Sequence, residues 1–127
     1  MGRIFTTDTT DTINVAMTVQ ADCFDDRYTA EVQSADLKVW NEGTRLFCKV
    51  LAEIEIFDTE DPRNTATILL EESKIALPSL SKDITYHGGK DDFIAVESIS
   101  AKSEQSKENI LDTIDRWLEI YVRIEGI

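Results

Sequence analysis

The chain has 127 residues, 42% of them hydrophobic, with only 2 Pro and 5 Gly, which excludes collagen-like, low-complexity and wholly disordered chains. That length builds one domain around a single core, residues 1–127. Thirteen Lys+Arg against 25 Asp+Glu leave a net charge of −12, and the basic residues stand too far apart to neutralise adjacent phosphates, so neither direct nucleic-acid binding nor attraction to an anionic membrane is expected.

Residues 1–12 read as a polar N-terminal arm, in which Ile4 and Phe5 are followed by Thr and Asp residues that bond their own backbone in irregular conformations. The arm precedes a mainly β region over 13–100. Ile13, Val15, Met17 and Val19 alternate and predict a short half-buried strand, closed by a loop at Asp22, Asp25 and Asp26. A β-meander starts at Tyr28. Its first strand ends near Trp40, a connection Asn41-Glu42-Gly43 places Gly at the left-handed position, and the return runs from Arg45 to Phe57. Leu46, Phe47, Val50, Leu51 and Ile54 also fit a helical stripe, but the Gly turn and the Glu-Ile-Glu-Ile alternation favour a strand.

Asp58 to Asn64 reads as a solvated acidic loop around Pro62. A strand follows from Thr65 to about Leu70, resumes near Ile75 and stops at Pro78. Ile84-Thr85-Tyr86 and Phe93-Ile94-Ala95-Val96 flank His87-Gly88-Gly89-Lys90-Asp91-Asp92 as a hairpin and its loop. The last element is an amphipathic helix over 103–122. Ser103 or Ser106 caps it, Glu104 and Glu108 lie near its positive end, and Ile110, Leu111, Ile114, Trp117, Leu118 and Tyr121 form its apolar stripe. Asp112–Arg116 and Glu119–Arg123 have the spacing of helix-surface pairs. Tyr121-Val122-Arg123-Ile124 also reads as extended, which leaves the far end open. The fold class is therefore α+β: an antiparallel meander or sheet of about five or six strands, with the C-terminal helix packed on one face. In this reading Trp117 is core, and Trp117→Ala is expected to cost roughly 3–5 kcal/mol.

The chemistry-bearing residues are few. Cys23 and Cys48 lack metal-ligand spacing and read as buried free thiols, with a disulfide between them left open; one His supplies no metal site. His87-Gly88-Gly89-Lys90 lacks the spacing of a phosphate loop, and Asp91-Asp92 oppose an anion. Asp58, Glu60 and Asp61 lack the order of a calcium loop. No nucleophile–base signature accompanies His87. Accordingly no catalytic, cofactor-binding or metal residue is assigned, and a non-enzymatic role is expected.

Arg3-Ile4-Phe5-Thr6-Thr7-Asp8 and Thr44-Arg45-Leu46-Phe47-Cys48-Lys49-Val50 resemble stretches of the SecB export chaperones, tetrameric acidic proteins that hold unfolded clients. The resemblance covers about a quarter of the chain, and the segment after Phe57 departs from that family's helix-rich second half. It implies a client-binding role as a third reading. The first is a structural or assembly protein acting through contacts with other protein subunits, such as a small viral (phage) accessory subunit, resting on the polar arm and on usable strand edges. The alternative is an acidic inhibitor or nucleic-acid mimic that blocks a basic protein partner. The interaction residues are Ile4 and Phe5, anchors of the arm, and Trp40, beside a turn. With neither an apolar signal core nor a run long enough to span a membrane, a cytoplasmic or virion location is expected.

Overall fold

A computed structural model describes residues 4–8, 15–77, 81–88 and 92–126. The chain is mostly antiparallel sheet with one helix packed against it, the α+β class indicated by the sequence. Among the described residues there are eight strands, more than the five or six expected, and they divide between two sheets. One sheet has the order β1 (Ile4–Asp8), β2 (Val15–Cys23), β8 (Leu118–Gly126), β6 (Ser81–His87). The other has the order β3 (Tyr28–Glu42), β4 (Arg45–Asp58), β5 (Thr65–Leu77), β7 (Ile94–Ser100). The helix, α1 (Glu104–Trp117), carries the chain from β7 back to β8 and lies against β2, β6 and β8.

Alternation drives this arrangement. Met17 and Val19 of β2, Val50, Ile54 and Ile56 of β4, Ile68 and Leu70 of β5, and Ile120, Val122 and Ile124 of β8 point into one core shared by both sheets. Ile110 and Ile114 of α1 complete it. Each such side chain contributes roughly 1.5–3 kcal/mol on leaving water.

Bulges reset the alternation in β3 and β5, and a further register shift falls between β5 and β7. In β3 the buried residues are Tyr28, Ala30 and Val32, then the register slips between Val32 and Ser34, and Ala35 is the next to face inward. In β5, Ala66, Ile68 and Leu70 face inward; Lys74 then adopts a φ of +60°, one residue of β4 opposes two of β5, and Ile75 resumes the inner face. The interrupted strand read at 65–75 is thus one continuous strand with a bulge.

Four local expectations need correction. Ile4–Asp8, read as part of an irregular arm, pairs antiparallel with β2 as the edge strand β1. The meander's first turn is Gly43-Thr44, with Gly43 at φ +64°, because β3 continues through Asn41 and Glu42. Ile84–Tyr86 and Phe93–Val96 do not form a hairpin: β6 pairs with β8 and β7 pairs with β5, so the connection between them crosses from one sheet to the other. The helix ends at Trp117 instead of 122, because Leu118, Ile120, Val122 and Ile124 alternate as β8 and bury one face between β2 and β6. Arg123 consequently pairs with Asp83 at 3.5 Å and Glu125 at 2.9 Å across and along the sheet, and not with Glu119 in a helix. The cap is Ser103, whose side chain accepts from the Ser106 N–H at 3.1 Å, and Arg116–Asp112 pair at 2.9 Å as the spacing required. Ile13, Pro78 and Gly89-Lys90-Asp91 lie outside the described residues.

Candidate functional site

The outer face of the β3–β4–β5 meander is rich in charge, with carboxylates toward one end and the facing cations Lys38 and Lys49 toward the Gly43 turn. Because β4 buries Cys48, Val50, Ala52, Ile54 and Ile56, its other face turns Phe47, Lys49, Leu51, Glu53, Glu55 and Phe57 toward solvent, each half-buried. Pairing registers set the rows across this face. Glu31 stands opposite Glu55, which stands opposite Thr67; Ser34 opposes Glu53, and Glu53 opposes Leu69; Asp36 opposes Leu51, and Leu51 opposes Glu71. Three carboxylates, Glu31, Glu53 and Glu55, are therefore neighbours by register, with Leu51 and Leu69 beside Glu53. Like charges placed directly across a ladder oppose strand pairing.

Little of this charge is compensated internally. Lys49 pairs with Glu71 at 3.2 Å, and Gln33 Nε2 donates to Glu31 at a long 3.5 Å. Among the described residues no ion pair involves Glu31, Asp36, Glu53 or Glu55. Toward the Gly43 turn the character changes: Trp40 stacks on Phe47 with ring centroids 6.3 Å apart, and Lys74 lies 5.0 Å over the Phe47 ring while pairing with Glu42 at 3.0 Å.

The three interaction residues named from the sequence are not brought together here. Trp40 is half-buried on the outer face, but nine residues of strand, roughly 30 Å, separate it from Glu31. Ile4 and Phe5 belong to the other sheet, in register with Gln20 and Val19.

Two large aromatic side chains stand at the surface, Phe24, which the sequence reading did not single out, and Trp117, which it placed in the core. Phe24 is 59% exposed and Trp117 is 43% exposed, and their backbones meet where the Phe24 N–H donates to the Trp117 carbonyl at 2.9 Å. Assigning Trp117 to the core followed from extending the helical stripe through Leu118. The alternation from Leu118 to Ile124 was the signal that the helix stops one residue earlier. With Trp117 43% exposed, Trp117→Ala is now expected to cost about 1–2 kcal/mol in a urea melt, below the loss of a core tryptophan.

The remaining chemistry-bearing groups are held in the structure. The Asp58–Asn64 loop is not wholly solvated: Asp58 and Asn64 are buried. Both Asp58 oxygens accept hydrogen bonds, from the Arg27 side chain, the Glu60 N–H and Asn64 Nδ2. The Gly88 N–H donates to the Leu118 carbonyl at 2.9 Å, so it is not presented to an anion. Cys23 and Cys48 are free; burial, reinforced by Asp22 and Asp25, pushes the Cys23 thiol up to about 12, and burial pushes Cys48 up to about 11. Both stay protonated near neutrality, the unreactive form. Among the described residues, no three His, Cys, Asp or Glu side chains are placed to hold a metal ion, and no helix is long and apolar enough to cross a membrane.

Neither a family model, a curated protein nor a solved structure matches the chain significantly, so the likeness of the two short stretches to the export chaperones rests on those residues alone.

Proposed function

We propose that this protein is a non-enzymatic interaction subunit that works through protein–protein contacts, and that the outer face of β3–β4–β5 receives a basic partner protein. The observation that carries the reading is the opposition of Glu31 and Glu55, with Glu53 beside them and no cation among the three. Such a face is destabilised by its own repulsion, and a cationic surface laid on it relieves that repulsion while Leu51 and Leu69 supply apolar contact. The net charge of −12 steers the same class of partner from a distance.

The test uses a ten-residue polylysine peptide as the basic probe. Glu55→Lys places a cation opposite Glu31, so it is expected to raise stability by about 0.5 kcal/mol in urea melts while weakening the probe. Glu108→Lys, on the exposed surface of α1, changes the net charge equally and is the control. Affinity in Glu55→Lys should fall about tenfold below that of the control at low salt, with the difference shrinking at high salt. Equal losses in the two variants would overturn the face as the contact surface.

A second reading, self-assembly, is favoured by the placement of Ile4–Asp8 at the end of its sheet, where β2 is its only hydrogen-bonded strand among the described residues. Light-scattering mass separates the two: an oligomer that persists at high salt supports edge pairing, and a monomer at both salts leaves the acidic face as the reading.

A further inference from the structure

One end of the sheet that holds β2 and β8 carries the exposed aromatic pair. The two strands run antiparallel up to Cys23 and Leu118, and just past them the Phe24 N–H donates to the Trp117 carbonyl. Phe24 and Trp117 are thus neighbours across the ladder, yet both remain exposed. Ala21, Leu118 and Ile120 are fully buried, so Asp22 and Glu119, which stand opposite one another, turn to the outer side by alternation. An aromatic pair at the surface therefore lies one step along the strands from a pair of facing carboxylates.

Negative charge collects here from three sources. Asp22 and Asp25 lie on either side of Phe24 in the chain, and both reinforce the effect of burial in raising the Cys23 thiol. Glu119 adds a third carboxylate. Trp117 is the last residue of the fourteen-residue α1, so the negative end of the helix dipole falls at the same place. The cations close by in sequence are engaged elsewhere: Arg116 pairs with Asp112 and Arg27 with Asp58, each at 2.9 Å. His87 Nδ1 stands 3.6 Å from Glu119, beyond hydrogen-bond distance.

We infer that this corner binds an arginine side chain of a partner protein, with the guanidinium lying on the aromatic pair and donating toward Glu119. Alternate residues of a strand stand about 6.8 Å apart, a step that a guanidinium spans with its flat face on a ring and its N–H fork toward a carboxylate. The ring faces and the carboxylates both favour a cation, and the helix end adds to them. Lysine meets the same charges but is a compact, strongly hydrated ion that stacks less well. Exposed aromatic anchors within a polar rim are the pattern of a contact surface. This corner belongs to the other sheet from the acidic face of β3–β4–β5, and the inference does not depend on that reading.

The experiment titrates the full-length protein at low salt with acetyl-Gly-Arg-Gly-Arg-Gly-amide and with its lysine counterpart, read by NMR. The chain has two tryptophans, so the Trp117 indole N–H reports this corner and that of Trp40 reports whether each variant keeps its fold. The arginine peptide should shift the Trp117 signal to saturation, with a dissociation constant about threefold below that of the lysine peptide. Glu119→Gln and Phe24→Leu should each raise that constant about threefold while the Trp40 signal of the free protein stays in place. Glu55→Lys, on the other sheet, should leave the Trp117 response unchanged. No shift at Trp117, equal constants for the two peptides, an unchanged constant in either Glu119→Gln or Phe24→Leu, or a response lost in Glu55→Lys would each overturn the proposal.

Discussion

Replacing Asp58 with alanine is expected to lower the unfolding free energy by about 3 kcal/mol. Asp58 is 1% exposed, and its two oxygens accept four hydrogen bonds: Arg27 Nε at 3.1 Å and the Glu60 N–H at 2.9 Å on one, Arg27 Nη2 at 2.9 Å and Asn64 Nδ2 at 3.2 Å on the other. The network ties three connections together. Arg27 belongs to the β2–β3 loop, and its carbonyl accepts from Thr59 N–H and Oγ1; Asn64 in the β4–β5 loop accepts through Oδ1 from the Lys102 N–H ahead of α1. Alanine leaves the Asn64 and Glu60 donors without their partner, whereas the Arg27 side chain, 39% exposed, can turn to water, which keeps the loss at the lower end for a broken buried pair.

The same carboxylate sets a pH dependence with a definite sign. Arg27, first, then the Glu60 N–H and the Asn64 amide hold Asp58 at about 2, below its ordinary 3.8, against the opposing effect of burial. A carboxylate lowered in the folded state stabilises the protein above the unfolded value and loses that contribution as pH falls through the folded one. The difference in urea midpoint between the wild type and Asp58→Asn should therefore be full above about pH 4 and close as pH approaches 2. Taking the difference cancels the general relief of repulsion that acid brings to a chain of net charge −12. A gap that stays constant across that window would mean that the charge of Asp58 is not what the network uses.

How much of this was legible in the residues depended on how far each signal reached. The strand expected from Arg45 to Phe57, whose alternation is unbroken through Glu-Ile-Glu-Ile, is β4 (Arg45–Asp58). Bulges hid the rest, because one inserted residue moves the inner face from Val32 to Ala35 and from Leu70 to Ile75, and alternation that changes parity reads as a strand that stops. Leu118 was ambiguous for a different reason, since it closes a helical stripe and opens an alternating one. The division into two sheets was out of reach, as a loop that crosses between sheets and a hairpin loop share the same turn residues. The acidic face was half legible. The Glu-Ile-Glu-Ile alternation puts Glu53 and Glu55 on one side of their strand, but the pairing of Glu55 with Glu31 is a property of register, which no single strand contains.

Gly88 carries the other large expected effect. It follows β6 directly with a φ of +75°, a conformation that costs an L side chain roughly 1–2 kcal/mol. Its backbone also docks on the last turn of α1, where a Cβ would overlap the Asp115 carbonyl, and its N–H caps the junction by donating to the Leu118 carbonyl at 2.9 Å. The obstacle is helix backbone and not the end of a flexible side chain, so relief requires α1 or β6 to shift, at a further cost of about 1–3 kcal/mol. Gly88→Ala is accordingly expected to destabilise by about 3–4 kcal/mol. Gly43 separates the two contributions, because its φ is +64° yet nothing lies within 4 Å of where a Cβ would stand. Gly43→Ala should cost only about 1 kcal/mol. Urea melts of both variants decide the matter: a gap of about 2 kcal/mol assigns the larger share to the seat of Gly88 against α1, and equal losses would assign both to backbone conformation alone.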